Sequence, residues 1–274
     1  MPTIHTERLH FHYRSHGNAK GLPLLLLHGS YASSRWWEPL FEVLPEDVYC
    51  LAPDLRGCGE SDKPDHDYTI EEQSEDIVAF VRAMRLRDFC LAAHSSSGAI
   101  AMEFVLNYPD LASSMILIDS VPIEGVFTPI DGLMLLEQLK SDSQLLARAL
   151  STLMPTLDTA TDTLFPLLLA DAQKMAPSAF TAIAESLNRW NRFADGKRLT
   201  LPTLLLWGEQ DEIVSREATT RTLIALPGAG NLEVLQNCGH SPMLETPLPL
   251  AERIVEFLTD DYAQFNAIRN TAYE

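Results

Sequence analysis

Leu91-Ala-Ala-His-Ser-Ser-Ser-Gly98 is the stretch on which the reading of this chain turns. It continues the apolar run that starts at Phe89 and is followed by Ala99-Ile-Ala-Met, an apolar stretch with helical character. A serine on the sharp turn between a buried strand and a helix is forced into a strained backbone, which exposes its hydroxyl. Such a turn requires small residues two before and two after the serine. Ala93 and Ser97 flank Ser95 in this way, so the glycine-rich form G-x-S-x-G is replaced by a version with small side chains. Choosing Ser96 or Ser97 instead would put His94 or Ser95 at the crowded position two before. Ser95 is therefore the expected nucleophile, and a serine-rich helix start without chemistry is the competing reading.

Working outward, the apolar run recurs. Leu22 to His28, Val48 to Pro53, Met115 to Asp119, Thr203 to Trp207 and Leu232 to Leu235 read as strands buried on both faces. Ile4 to Leu9 and Phe11 to Arg14 alternate and read as an antiparallel pair. Helical patterns lie between, at Ile70 to Met84, Gly98 to Asn107 and Leu248 to Leu258, the second ending before Tyr108-Pro109. Alternating buried strands and helices predict an α/β fold with a mostly parallel sheet covered on both faces. The interval 120–200 has no strand pattern. Apolar residues recur there at helical spacing, as in Leu133, Leu136 and Leu139 or Ile183, Leu187 and Trp190, with Asp142 and Ser178 at expected N-caps. It is too long for an ordinary connection and reads as an inserted helical cap. The expected division is a core from 1 to 119, a cap from 120 to 200 and a second core part from 201 to 274. The tail from Asp260 is expected to be a frayed helix or an interface element.

A serine hydroxyl needs a base. Among eight histidines, His240 stands out in Asn237-Cys-Gly-His-Ser-Pro242, a loop after the last strand and before the final helix. The acid that orients it should lie at a neighbouring strand end, and Asp211 in Trp207-Gly-Glu-Gln-Asp-Glu212 gives the chain order Ser, Asp, His. Glu209, Glu212 and Asp119 are the rivals. Two N–H donors are needed for an oxyanion, each worth about 2.7–4 kcal/mol in known cases. Ser96 after the nucleophile and Ser30 in His28-Gly-Ser-Tyr31 are the expected pair. Tyr31, Trp190 and Met243 are the expected substrate contacts. Arg148, Arg189 and Arg192 are possible carboxylate anchors, with solvated surface as the competing reading. Trp36, Trp37 and Cys58 are expected to serve packing.

Composition narrows the function classes. Of 274 residues, 46% are hydrophobic, enough for a large core, and the net charge of −18 opposes nucleic acid and anionic surfaces. No apolar run is long enough to span a bilayer, and residues 1–16 lack a signal-peptide pattern. The four cysteines lack metal-ligand spacing and read as reduced thiols of a cytoplasmic protein. No metal or cofactor is expected, and the chain is expected to be a monomer or homodimer.

His28-Gly29, then Asp54-Leu-Arg-Gly-Cys-Gly-Glu-Ser-Asp-Lys-Pro64, His94-Ser95, Gly208-Glu-Gln-Asp211 and Gly239-His240 occur in order along nearly the whole chain. In this the sequence resembles the α/β-hydrolase fold superfamily. The resemblance implies an eight-stranded, mostly parallel sheet with a helical cap after the sixth strand. Ser95 at the elbow separates the chain from dehalogenases and epoxide hydrolases of this fold, which have aspartate there. HGSYA differs from the HGGPG loop of proline aminopeptidases. Ser241 stands where many carbon–carbon bond hydrolases carry tryptophan. The remaining resemblance is to serine carboxylesterases and lactonases acting on small, largely apolar substrates. Two other classes stay open: a non-hydrolytic relative such as a cofactor-free dioxygenase, lyase or biosynthetic cyclase using the same Ser, His and Asp, and a small-molecule receptor.

Overall fold

The computed structural model describes residues 2–261. Its chain order is β1 (Thr3–His5), β2 (His10–His16), β3 (Leu22–Leu27), α1 (Glu38–Phe41), β4 (Val48–Pro53), α2 (Ile70–Met84), β5 (Phe89–His94), α3 (Ser97–Asn107) and β6 (Ala112–Ile118). Four helices follow before the next strand: α4 (Ile130–Leu139), α5 (Ser143–Thr152), α6 (Phe165–Gln173) and α7 (Ala179–Arg189). The chain then returns through β7 (Thr203–Gly208), α8 (Arg216–Ala225), β8 (Ala229–Leu235), α9 (Pro242–Glu245) and α10 (Pro247–Glu256).

The eight strands form one sheet in the order β1-β2-β4-β3-β5-β6-β7-β8. β2 runs antiparallel to both its neighbours, and β4 through β8 pair in parallel with β3 among them. The apolar runs explain the centre: Leu24 to Leu27 on β3 and Leu91 to Ala93 on β5 are fully buried because helices cover both faces. The register then aligns the strand ends. Leu27 pairs with Ala93, Ala93 with Leu117, Leu117 with Leu205, and Gly208 with Leu235. The loops carrying Ser30, Ser95, Asp119, Asp211 and His240 therefore leave the sheet at one edge. Successive strands from β3 lie on opposite sides of it, so this edge is also the crevice where open parallel sheets bind ligands.

Three sequence expectations change. The first strand stops at His5 instead of Leu9, because the Thr6 hydroxyl bonds Leu9 O at 2.8 Å and accepts from Leu9 N at 2.9 Å, closing a turn. Asp142 caps α5 through the N–H groups of Gln144 and Leu145, whereas Ser178 sits in helical geometry and makes no side-chain cap. The last helix gives way at Phe257 to a wider turn through Asp261. The tail from 262 lies outside the described residues, and with it most of the expected terminal element.

The loop after β4 is organised by one carboxylate. Buried Asp54 accepts from His12 Nδ1 (2.7 Å), Ser34 N (2.7 Å) and Glu60 N (2.9 Å). Burial alone would raise its pKa, but these donors outweigh burial and hold it below the ordinary carboxylate range. Asp54→Ala strands the buried His12 and Ser34 donors and the Glu60 N–H. The expected loss is about 3–5 kcal/mol of unfolding free energy, read as a lower urea midpoint.

Candidate active site

Ser95 has φ +56°, a left-handed conformation that costs a non-glycine residue energy. The surroundings impose it. Ser95 N–H donates to Ile118 O at 3.0 Å, and Ser95 O accepts from Gly98 N and Val121 N. A side chain at Gly98 would sit 1.8 Å from Ser120 Oγ, so α3 can approach β6 only with glycine there. At the preceding position, Ser97 replaces the usual glycine without leaving its hydroxyl idle. Ser97 Oγ lies 2.9 Å from Leu27 O and 2.8 Å from His94 O, between the ends of β3 and β5.

On this turn the Ser95 hydroxyl lies 2.8 Å from His240 Nε2, and His240 Nδ1 lies 2.9 Å from Asp211 Oδ2. Ser95 is half-exposed, while His240 and Asp211 are buried. Asp211 Oδ1 also accepts from the N–H groups of Ile213 (2.7 Å) and Val214 (3.1 Å). Burial pushes the Asp211 carboxyl up, but His240 and these two N–H groups outweigh burial and keep it below its ordinary value. Asp211 therefore stays ionised, accepts from His240 Nδ1–H, and leaves Nε2 as an acceptor for the serine hydroxyl. Glu209 and Glu212 are exposed, and Glu209 accepts from Asn237 N, so neither faces the imidazole.

The His240 backbone is gripped on both sides. Glu245 Oε2 accepts from Gly239 N (3.1 Å), and Oε1 accepts from Ser241 N (2.8 Å). His94 Nε2–H donates to His240 O at 2.7 Å. Sequence reading passed over Glu245. The available signal was an acid one turn into a helix opened by Pro242, positioned to reach back to preceding N–H groups. Glu245 Oε2 also accepts from Thr156 N (3.0 Å) and Thr156 Oγ1 (2.6 Å), and Ser241 Oγ donates to Leu153 O (2.5 Å). The histidine loop is thereby tied to the segment between β6 and β7.

The loop after β3 comes close to the elbow because Gly29 has no side chain. A Cβ there would lie 2.9 Å from Ser95 Cβ and 3.0 Å from His94 Nδ1. Leu55 N donates to His28 Nε2 (3.0 Å), so His28 Nδ1–H donates to Gly29 O (2.8 Å) and fixes this loop. Among the described residues, neither Ser30 N–H nor Ser96 N–H has a protein acceptor, and Ser30 Oγ donates to Ser96 Oγ at 2.9 Å. One of these N–H groups belongs to the loop after β3 and the other to the elbow itself.

The expected substrate contacts fare differently. Tyr31 leaves the same loop with φ +61°. Its ring packs on Phe180 of α7 (centroids 5.4 Å apart), and its hydroxyl donates to Phe180 O. The Trp190 ring is buried and its Nε1–H donates to Glu103 Oε2 at 2.9 Å, on α3 about two turns from the elbow, so it fastens the helical segment to the core. Met243 has no exposed surface and packs in the apolar core. Arg192 likewise pairs with Glu103 (2.7 Å) and Glu71 (2.8 Å), while Arg148 and Arg189 are exposed. Trp36 packs beside His94, and Trp37 and Cys58 are buried.

Asp119, Asp211 and His240 form the one group among the described residues whose potential metal-ligating atoms converge, all within 4.8 Å of one another. The hydrogen bonds of His240 and Asp211 already account for most of those atoms.

The strand order, the elbow and the hydrogen-bonded Ser, His and Asp at one sheet edge define an α/β enzyme of the hydrolase type. Residues 24–253 match the alpha/beta hydrolase family, and the chain belongs to that family. The monoacylglycerol lipase ABHD6 of Homo sapiens is 24% identical, over 93% of this chain and 81% of its own length. A thermophilic esterase from Thermogutta terrifontis superposes with TM-score 0.79 at 24% identity, covering 94% of this chain and 97% of its own. An enol-lactonase from Burkholderia xenovorans LB400 does so with TM-score 0.83 at 17% identity, covering 94% and 100%. The chain is thus similar in fold to an esterase and a lactonase. Among the described residues no helix is long and apolar enough to cross a membrane.

The site makes stability sensitive to acid. Burial drives His94 down to about 3 and also lowers His28. Between the unfolded value near 6.5 and the folded value, only the unfolded chain binds these protons. The His94 contribution is therefore full above pH 6.5 and falls as pH drops toward 3, by about 1.4 kcal/mol per pH unit, and His28 acts in the same direction. Thermal unfolding of His94→Gln is expected to show a shallower decline than wild type between pH 6.5 and 4.5.

Proposed function

We propose that this protein is a serine hydrolase that cleaves small, largely apolar carboxylic esters or lactones through an acyl-enzyme. The observation that carries the reading is the unbroken hydrogen-bond series from Ser95 Oγ through His240 to Asp211, with the serine strained outward at the elbow. In this mechanism Ser95 Oγ attacks the ester carbonyl carbon while His240 Nε2 takes its proton. The carbonyl oxygen gains negative charge and is held by the N–H groups of Ser30 and Ser96. Asp211 holds the imidazole in the required tautomer and balances the imidazolium. The carbon–oxygen bond to the leaving group then breaks, and His240 gives that alkoxide its proton. Water, deprotonated by His240, attacks the acyl-enzyme in the same way, releasing the acid and restoring Ser95. Every step is served by side chains and backbone of this chain.

The segment 120–200 serves, in this reading, as a cap over the serine. Its attachments support the assignment: Tyr31 to Phe180 at the oxyanion loop, and Thr156 and Leu153 to the histidine loop. An apolar acyl group suits the exposed apolar residues of this segment, among them Phe127, Ile130, Met134 and Leu135. The relative that hydrolyses monoacylglycerols supports an ester with an alkyl chain.

Hydrolysis of p-nitrophenyl acetate, butyrate and octanoate by wild type and Ser95→Ala tests the reading. Turnover reduced by on the order of 10⁴-fold or more in the variant is expected, with the chain-length optimum sizing the acyl site. Asp211→Asn is expected to lose on the order of 10⁴-fold in kcat by favouring the wrong tautomer. Absence of turnover together with no labelling of Ser95 by a fluorophosphonate would overturn the assignment.

A further inference from the structure

One buried acid beside the site has no part in the reaction above. Asp119 follows β6 with φ +43° and has no exposed surface. Its Oδ1 accepts from Gly208 N at 2.7 Å. Its Oδ2 is fully enclosed and has no partner among the described residues. The atoms nearest in kind are those of Asp211, since the two carboxyl groups and His240 Nδ1 converge within 4.8 Å. Two carboxylates facing each other leave an enclosed acceptor opposite another acceptor. A single proton placed between them removes the conflict, because a protonated carboxyl oxygen becomes a donor.

We propose that Asp119 is kept as the neutral acid and donates its carboxyl hydrogen to the Asp211 carboxylate, as a positioning residue behind the Ser95–His240–Asp211 series. The proposal deepens the hydrolase reading and rests on it for the role of Asp211. Among the groups near Asp119, the acidic Asp211 and Glu245 favour its neutral form against the single Gly208 N–H, which favours the charged one, and Cys238 is a buried thiol pushed upward. His240 donates its Nδ1 hydrogen to Asp211. Burial first and the charge of Asp211 second push Asp119 well above the ordinary carboxylate range, while Asp211 lies below it. The pair thus carries one negative charge, which the imidazolium balances one-to-one when His240 takes the serine proton. A hydrogen bond from Asp119 also adds a further donor to the Asp211 carboxylate and tempers its basicity.

Infrared difference spectra of the full chain near pH 7.5 test the protonation state without reference to turnover. Wild type and Ser95→Ala are expected to show a carbonyl band of a protonated carboxyl group, shifted in deuterium oxide and absent from Asp119→Asn. If Asp119→Asn instead removes a carboxylate band, Asp119 is ionised and the proposal fails. The pH profile of kcat/KM on p-nitrophenyl butyrate tests the positioning role. In Asp119→Asn an amide N–H replaces the carboxyl hydrogen with no change of charge. Its acidic limb is expected to stay within about 0.3 pH unit of wild type, whereas loss of a charge at this distance would lower it by about one unit or more. Asp119→Ala, which removes the donor, is expected to raise the limb as Asp211 becomes more basic; an unmoved limb counts against the positioning role. If no ester is turned over by any form, the hydrolase reading fails while the infrared result still decides the state of Asp119.

Discussion

The left-handed backbone at Ser95 is the constraint on which the rest of the site depends. A strained residue persists only when its neighbours over-determine it. Here they do so from three strands: β6 accepts its N–H, Gly98 lets α3 crowd against Ser120, and Ser97 bridges the ends of β3 and β5. The sheet therefore stores the strain and points the hydroxyl outward. Each further group comes from another strand end of the same parallel register, so shifting one strand would disturb the alignment of all of them.

Electrostatics follow the same economy. The interior beneath the serine contains His28, His94 and His240 together with Asp119 and Asp211, yet little formal charge. Burial discharges His94 and His28, each of which still spends its N–H on a backbone carbonyl. The charge that persists, on Asp211, has three N–H donors aimed at it. Most polar groups here are accommodated by giving each a direction; among the buried atoms without a partner in the described residues, Asp119 Oδ2 lies beside the acid and His94 Nδ1 beneath Gly29.

Much of this was legible in the sequence, for definite reasons. Runs such as Val48–Pro53 and Phe89–His94 are apolar throughout because both faces are covered, and their observed limits match those read from composition. The helix Ile70–Met84 has the limits read from its apolar spacing, and the structure adds Thr69 as its cap. Ser95, Asp211 and His240 could be named because strand ends are few and the chemistry needs specific residue types. What the sequence left hidden depended on partners distant in the chain. Trp190 looked available until Glu103, 87 residues earlier, claimed its N–H. Met243 follows the histidine closely, yet its side chain is enclosed in the core. Asp119 and Asp211 were rivals in one dimension, and only folding shows that they face each other. The stop at Thr6 turned on one hydroxyl, a local competition that apolar alternation does not report.

Glu245 has a consequence for how such proteins diverge. An excursion between two adjacent strands is ordinarily the freest part of a chain to exchange, since the sheet closes without it. Here one carboxylate holds the N–H groups on either side of His240 and also Thr156 of the excursion, while Ser241 is fastened to Leu153. A foreign insert spliced in at this point would change the seat of the histidine as well as the walls around the serine. Recombination among relatives is then a paired inheritance: the insert and the short helix carrying Glu245, 89 residues apart at their point of contact, have to be drawn from compatible parents.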